Sequence, residues 1–231
     1  MDGLLLIDKP ARWTSHDVVA RVRSVIRTQT GQKAKVGHTG TLDPFATGLL
    51  ILVVGSYTKK AGEFSKLDKT YEAEITLGAN SSTGDIEGKI TKRGDRGEGI
   101  GGRRPTEPAV RRVLSRFEGK ILQTPHKYSA VKVGGQRAYK LARAGKEVKL
   151  KPREVTIYSL ELLSYEYPKV KIRTKVSSGT YIRSLAEDIG EALGTGAYLS
   201  ALRRTSVGDF KVENAQNLQN LDISAIVKQL A

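Results

Sequence analysis

K-V-G-H-T-G-T-L-D-P-F-A-T-G-L-L, Lys35 to Leu50, is the stretch around which the rest of the sequence is organised. Glycines at 37, 40 and 48, the proline at 44, and threonine and imidazole side chains surround a single carboxylate, Asp43; an apolar run, Leu49 to Val54, follows directly. The glycines permit backbone angles that other residues resist. Pro44 fixes its own φ and pushes Asp43 toward an extended conformation. Such a segment holds one side chain in a fixed direction, although Asp-Pro and Thr-Gly pairs also mark ordinary turns.

The twelve residues G-H-T-G-T-L-D-P-F-A-T-G, 37 to 48, resemble the signature of the TruB-type tRNA pseudouridine synthases. Further blocks agree in order: L-I-D-K-P at 6–10, K-T-Y-E-A-E-I-T-L-G at 69–78, S-S-G-T-Y-I-R-S-L-A-E-D-I-G at 177–190 and L-R-R-T-S-V-G at 202–208. The resemblance runs from about Leu4 to Phe210. It implies conversion of uridine 55 in the tRNA T loop to pseudouridine, without cofactor. It also implies an α+β pseudouridine-synthase fold: a mixed, mostly antiparallel sheet with flanking helices and an RNA-gripping insertion at about 123–150.

The composition is globular, and 231 residues suffice for one large domain or two small ones. A net charge of +15, from 39 basic and 24 acidic residues, creates a field that attracts polyanions, nucleic acid first among them. The charge is spread along the chain with no basic amphipathic anchor, which disfavours a membrane surface. The absence of cysteine excludes disulfides, thiolate zinc sites and cysteine nucleophiles. His16, His38 and His126 are too far apart in sequence for a local metal motif, so no metal is expected. The amino terminus carries only a four-residue apolar run after an acid, unlike a signal peptide or membrane span; a cytoplasmic protein is expected.

Working outward, Leu4–Ile7 reads as a buried strand and the 15–27 region as a helix capped by Thr14 or Ser15, with Val18, Val19, Val22, Val25 and Ile26 on its apolar stripe. Between them, Lys9 and Pro10 read either as a surface turn or as direct participants in binding. The family pattern K-P-x-G has Arg12 where glycine is usual, a departure that bears on the geometry of this loop. Leu49–Val54 reads as a buried strand, and Tyr71–Leu77 alternates cleanly with Tyr71, Ala73, Ile75 and Leu77 on one face. Residues 84–105 are glycine-rich and charged and are expected to form a mobile basic loop. Their G-E-G-I-G-G at 97–102 lacks the flanking strand and helix that dinucleotide binding requires.

Thr106 and Pro108 open a further helix, with Val110, Val113, Leu114 and Phe117 apolar. Residues 123–150 interleave Lys127, Lys132, Arg137, Lys140 and Arg143 with Tyr128 and Tyr139, which suits phosphate contacts and stacking on unpaired bases as well as a solvated helical face. Val155–Leu163 and Val170–Val176 read as strands, and a helix after Gly179 carries Ile182, Leu185, Ala186, Ile189 and Leu193 on its stripe. Arg183 falls in its first turn, where a cation is unfavourable beside the helix dipole and a carboxylate partner would offset it. Residues 211–231 form a short C-terminal tail after a catalytic domain of 1–210, too short for the full RNA-binding PUA domain that many TruB-type enzymes carry.

By motif position the resemblance assigns catalytic roles to Asp43, Tyr71 and Arg183. Asp43 meets the sugar as nucleophile or electrostatic partner, Arg183 keeps it charged and oriented, and Tyr71 lies against the uracil. His38, Tyr181, Leu202, Lys9 and Lys132 are expected to bind substrate, with plain core as the competing reading of Leu202. The expected partner is the tRNA T stem-loop, met by a monomer with no small-molecule cofactor. Two other readings remain: an RNA-binding or tRNA-folding protein without chemistry, and a related synthase with another RNA target.

Overall fold

The computed structural model describes residues 1–93, 104–129, 131–148 and 150–230. The glycine-rich 97–102 segment and the side chains of Tyr139 and Arg143 lie outside the described residues. Two compact units are present, residues 1–71 with 202–231 and residues 72–201. Strand β1 (Gly3–Lys9), helix α1 (Ser15–Thr30), β2 (Val36–His38), β3 (Thr47–Val54) and α2 (Ala61–Ser65) belong to the first unit, which the chain leaves within β4 (Lys69–Leu77). The second unit continues through β5 (Ala79–Ser81), β6 (Ile90–Lys92), α3 (Glu107–Leu114), β7 (Gly119–Gln123), β8 (Lys132–Val133), β9 (Gln136–Arg137), α4 (Ala138–Arg143), β10 (Arg153–Glu166), β11 (Lys169–Val176) and α5 (Ile182–Ala192). Strand β12 (Ala197–Val207) returns the chain to the first unit, which β13 (Phe210–Lys211), β14 (Gln216–Asn217) and α6 (Ile223–Leu230) complete.

In the first unit β1 runs antiparallel to β3, pairing Leu5 with Leu52 and Ile7 with Leu50. Parallel neighbours flank them: β14 beside β1, and β12 beside β3 through Arg203 with Thr47 and Arg204 with Gly48. Strand β3 is apolar on both faces because both are covered. Leu50, Leu52 and Val54 pack with Leu5, Ile7 and the valine stripe of α1, while Leu49 and Ile51 pack with Val207 and Val212. The carboxyl-terminal residues Leu218, Leu221 and Ile226 are buried in the same core as α1, so the segment after Phe210 completes this unit. Helix α1 starts at a capping box, in which the Thr14 side chain accepts from Asp17 N and the Asp17 carboxylate accepts from Thr14 N.

In the second unit the strand order is β4-β11-β10-β7, with β10 antiparallel to both β11 and β7. Strand β11 alternates as expected: Val170, Ile172, Thr174 and Val176 are buried and the lysines and Arg173 face out. Three of those outward cations meet carboxylates of β4, Lys169 and Lys171 with Glu74 and Arg173 with Glu72. Residues 84–92, expected as the start of a mobile loop, are ordered instead. Strand β6 pairs with β5, and Asp85 bridges to Leu199 of β12. The Asp85 carboxylate builds this turn: the Thr83 hydroxyl donates to Asp85 Oδ1 at 2.6 Å and Glu87 N donates to the same oxygen at 3.0 Å. Most strand pairs are antiparallel, so the architecture is the expected α+β arrangement with a mixed sheet.

Candidate active site

Asp43 sits, half-buried, in the loop between β2 and β3. Three buried side chains from distant parts of the chain hold that loop. The Ser15 hydroxyl accepts from Leu42 N at 2.9 Å and donates to Leu42 O at 3.2 Å. Arg204, 2% exposed, spans the loop's two ends, with Nη2 donating to Gly40 O at 3.0 Å and Nε to Leu49 O at 2.7 Å. Lys9 is fully buried and donates from Nζ to Pro10 O, Trp13 O and Pro44 O at 2.9, 2.6 and 3.3 Å. The surface-turn reading of Lys9 is thereby corrected. Its methylenes are packed away and its ammonium joins the first loop to the Asp43 loop, because a buried cation must satisfy its donors on whatever acceptors the fold supplies.

Two backbone features complete the frame. Arg12 N donates to Pro44 O at 2.8 Å while Arg12 adopts φ 68°, the left-handed region that glycine enters without strain. Gly48 has φ 101°, and a Cβ there would lie 2.3 Å from Arg204 O. Only glycine lets β3 and β12 approach this closely at the end of the loop.

The other expected residues of the first unit surround this frame in sequence. His38 ends β2; burial, then the charges of Arg204 and His16, lower its pKa, so it is neutral at pH 7. Tyr71 and Leu202 are 8% and 9% exposed, at the positions where β4 and β12 pass between units. Sequence reasoning missed Arg204 and Lys69. Lys69 is buried, donates to Ser65 O at 2.7 Å and Leu67 O at 2.5 Å, and is lowered to about 8 by burial and then by Arg204. Only the motif membership of both residues could have pointed to them.

In the second unit Arg183, the second residue of α5, is 6% exposed. Its Nη1 donates to Thr83 O at 3.0 Å and to Asp85 Oδ2 at 3.2 Å, and its Nη2 donates to Tyr128 O at 3.0 Å. A carboxylate partner of the kind suggested by the helix dipole is present in Asp85, which falls in the segment expected from sequence to be a mobile loop. Tyr181 precedes α5 and is fixed by Gln123, whose amide oxygen accepts from Tyr181 N at 2.8 Å and whose amide nitrogen donates to Tyr181 O at 3.1 Å. The Arg153 guanidinium lies 5.0 Å from the Tyr181 ring centroid, a cation–π approach. Lys132 is exposed on the β8–β9 hairpin. Asp43, Tyr71, His38, Lys9 and Leu202 therefore fall in the first unit, and Tyr181, Arg183 and Lys132 in the second. Among the described residues no group of three or more His, Cys, Asp or Glu side chains could hold a metal ion, and no helix is long and apolar enough to cross a membrane.

Residues 27–182 match the model of the TruB family pseudouridylate synthase N-terminal domain, and residues 183–229 match that of the tRNA pseudouridylate synthase B C-terminal domain. The chain is 45% identical over 242 residues to the tRNA pseudouridine synthase B of Thermobifida fusca, an alignment covering 100% of this chain and 78% of that protein. It is 46% identical over 229 residues to the protein of the same name from Bordetella pertussis, covering 99% and 90%. Among solved structures, a chain of a Cbf5-Nop10-Gar1 complex matches with TM-score 0.70 at 32% identity, and a chain of an H/ACA RNP bound to a substrate RNA containing 2'-deoxyuridine with TM-score 0.67 at 30%. Each covers 95% of this chain, which spans only 53% and 52% of those chains, about half their length.

Proposed function

Because the chain belongs to the TruB family of pseudouridylate synthases, we propose that it isomerises uridine 55 in the T loop of tRNA to pseudouridine. The reaction breaks the bond between ribose C1′ and uracil N1 and joins C1′ to C5. C5 gives up its hydrogen and N1 gains one, so nothing is oxidised and no group is imported. The observation that carries the reading is Asp43, borne on a family-motif loop that buried Lys9, Ser15 and Arg204 hold in place. A carboxylate so held can meet positive character at C1′ and retain one fragment while the base turns, as carboxylates do in glycoside cleavage. Attack at C1′, attack at C6 and passage through a glycal all use the same group.

Arg183 keeps the catalytic carboxylate ionised and oriented, a role to which its fixed guanidinium is suited. Tyr71 offers a face to the extracted uracil, Tyr181 and Leu202 flank it, and His38 lies beside the flipped nucleotide. Lys132 and the rest of 123–150 grip the T stem-loop, within a catalytic region of 1–210. Extracting a loop nucleotide costs a few kcal/mol, which contacts between the +15 chain and phosphates offset. The enzyme acts as a monomer in the cytoplasm.

The test is tritium release from a T-arm stem-loop labelled at uridine C5, with wild type and Asp43→Asn in parallel. Release by the wild type alone supports the reaction and the role of Asp43. Release by both removes Asp43 from the chemistry. No release by either, with RNA binding intact, favours a non-catalytic binder or another RNA target.

A further inference from the structure

We propose that His126 is a positioning residue for Arg183: its Nδ1 and ring anchor the amide and side chain of Tyr128, the residue whose carbonyl holds the guanidinium. The inference rests on the assignment of Arg183 to the catalytic site above. Tyr128 lies in the turn after β7, and its carbonyl holds Arg183 together with Thr83 O and Asp85 Oδ2. That carbonyl belongs to the Tyr128–Ser129 peptide, so in a turn outside a strand ladder its direction is steadied by whatever anchors the Tyr128 amide and ring. Here His126 does so, with Nδ1 accepting from Tyr128 N at 3.3 Å while the two rings stack with centroids 5.7 Å apart and planes 24° apart.

The far side of the imidazole is also engaged. His126 Nε2 lies 3.8 Å from Glu187 Oε1, and Glu187 stands one helical turn beyond Arg183 on α5. Glu187 in turn packs on Gly84, where a Cβ would come within 3.1 Å of Oε1. Gly84 lies between Thr83 and Asp85, which supply two further acceptors of Arg183. The contacts close a circuit: Arg183 to Tyr128, to His126, to Glu187, to the 83–85 turn and back to Arg183.

Packing alone does not lock the ring. A cavity of about 340 Å³ opens beside it, lined by Thr124, His126, Lys127, Ser184, Glu187 and Asp188 among others. A side chain bordering open space keeps one orientation through its directed bonds, here the Nδ1 acceptor and the stack. The surrounding charges favour the acceptor state. Burial, then Arg183 and Lys127, push His126 down to about 4, so Nδ1 is unprotonated at neutral pH and presents a lone pair to the Tyr128 amide.

Two substitutions separate this role from simple packing. His126→Phe keeps the stack and the volume but removes the acceptor; His126→Asn restores an acceptor oxygen at the reach of Nδ1 without the ring. A single neutral hydrogen bond corresponds to about a three- to tenfold effect. His126→Phe is therefore expected to lower kcat for T-arm tritium release by about that factor, with KM and melting temperature unchanged, and His126→Asn to recover most of it. Wild-type kcat in His126→Phe would overturn the role, as would equal losses in both variants. Arg183→Gln run alongside tells the two levels apart. Full activity there would sink the assignment of Arg183 and this role with it, whereas loss there beside unimpaired His126→Phe would sink the role of His126 alone.

Discussion

Arg183 and Asp85 form a buried ion pair, Nη1 to Oδ2 at 3.2 Å, with side chains 7% and 4% exposed. Breaking a buried ion pair by removing one partner costs about 3–5 kcal/mol. Asp85→Asn keeps an oxygen for the Thr83 hydroxyl and Glu87 N, so the lower end of that range is expected. Urea unfolding should show a loss of about 3 kcal/mol, and tritium release should fall further than affinity for the T arm. An unchanged urea midpoint would mean that Arg183 finds its stabilisation elsewhere.

Lys9 offers a test of how the Asp43 loop is held. Lys9→Met preserves most of the buried volume but removes the donor to Pro10 O, Trp13 O and Pro44 O. Pro44 O still receives Arg12 N, so the carbonyls of Pro10 and Trp13 lose their bonds from the ammonium, at about 1–3 kcal/mol each. The protein has a single tryptophan, Trp13, whose carbonyl is one of these acceptors, so its fluorescence reports on the very loop that is disturbed. A loss of about 2–6 kcal/mol, with a red-shifted native emission, is expected; under about 1 kcal/mol the ammonium would be dispensable to the loop.

Parts of this architecture with a local physical cause are readable in the sequence. The α1 cap, the period-two faces of β4 and β11 and the Gly48 approach each depend on a few neighbouring residues or on one backbone angle. The site's buried charges are different. Asp85 is separated by 98 positions from the arginine that makes its burial tolerable, and its charged, glycine-rich surroundings carry no periodicity. In L-R-R-T-S, Arg203 and Arg204 fall on opposite strand faces. Nothing local says that Arg203 will pair with Asp8 near the surface while Arg204 enters the core. The last twenty residues are too few for a domain, yet Leu218, Leu221 and Ile226 complete a core built mostly by the first fifty-four.

The carboxyl of Glu187 gives stability a definite pH dependence. Burial raises it to about 7, with Asp188 adding to the shift and Arg183 opposing it. The folded protein therefore binds this proton more tightly than the unfolded chain does, and the stability that the protonated group confers is lost as pH rises from about 4.5 through 7. Glu187→Gln lacks the penalty. Its melting temperature relative to wild type should rise between pH 5 and pH 8; a difference independent of pH would show that Glu187 is ionised at little cost.

At Arg12 backbone strain opposes chain entropy. At φ 68° an ordinary residue is strained by about 1–2 kcal/mol, which glycine does not suffer. Glycine in turn loses more chain entropy on folding, about 0.5–1 kcal/mol. The backbone bond from residue 12 to Pro44 O survives either way. Strain relief outweighs the entropy loss, so Arg12→Gly should stabilise by about 0.5–1 kcal/mol in urea unfolding. The exposed guanidinium is lost with the strain, and if it meets an RNA phosphate the salt dependence of T-arm binding should weaken by somewhat less than one in the slope of log K against log salt. A stabilised variant with a shallower slope would mean that arginine is kept here for its charge despite its backbone. A stabilised variant with an unchanged slope would leave the side chain without an RNA contact, and a destabilised one would show that the arginine packs on the Asp43 loop more firmly than its exposure implies.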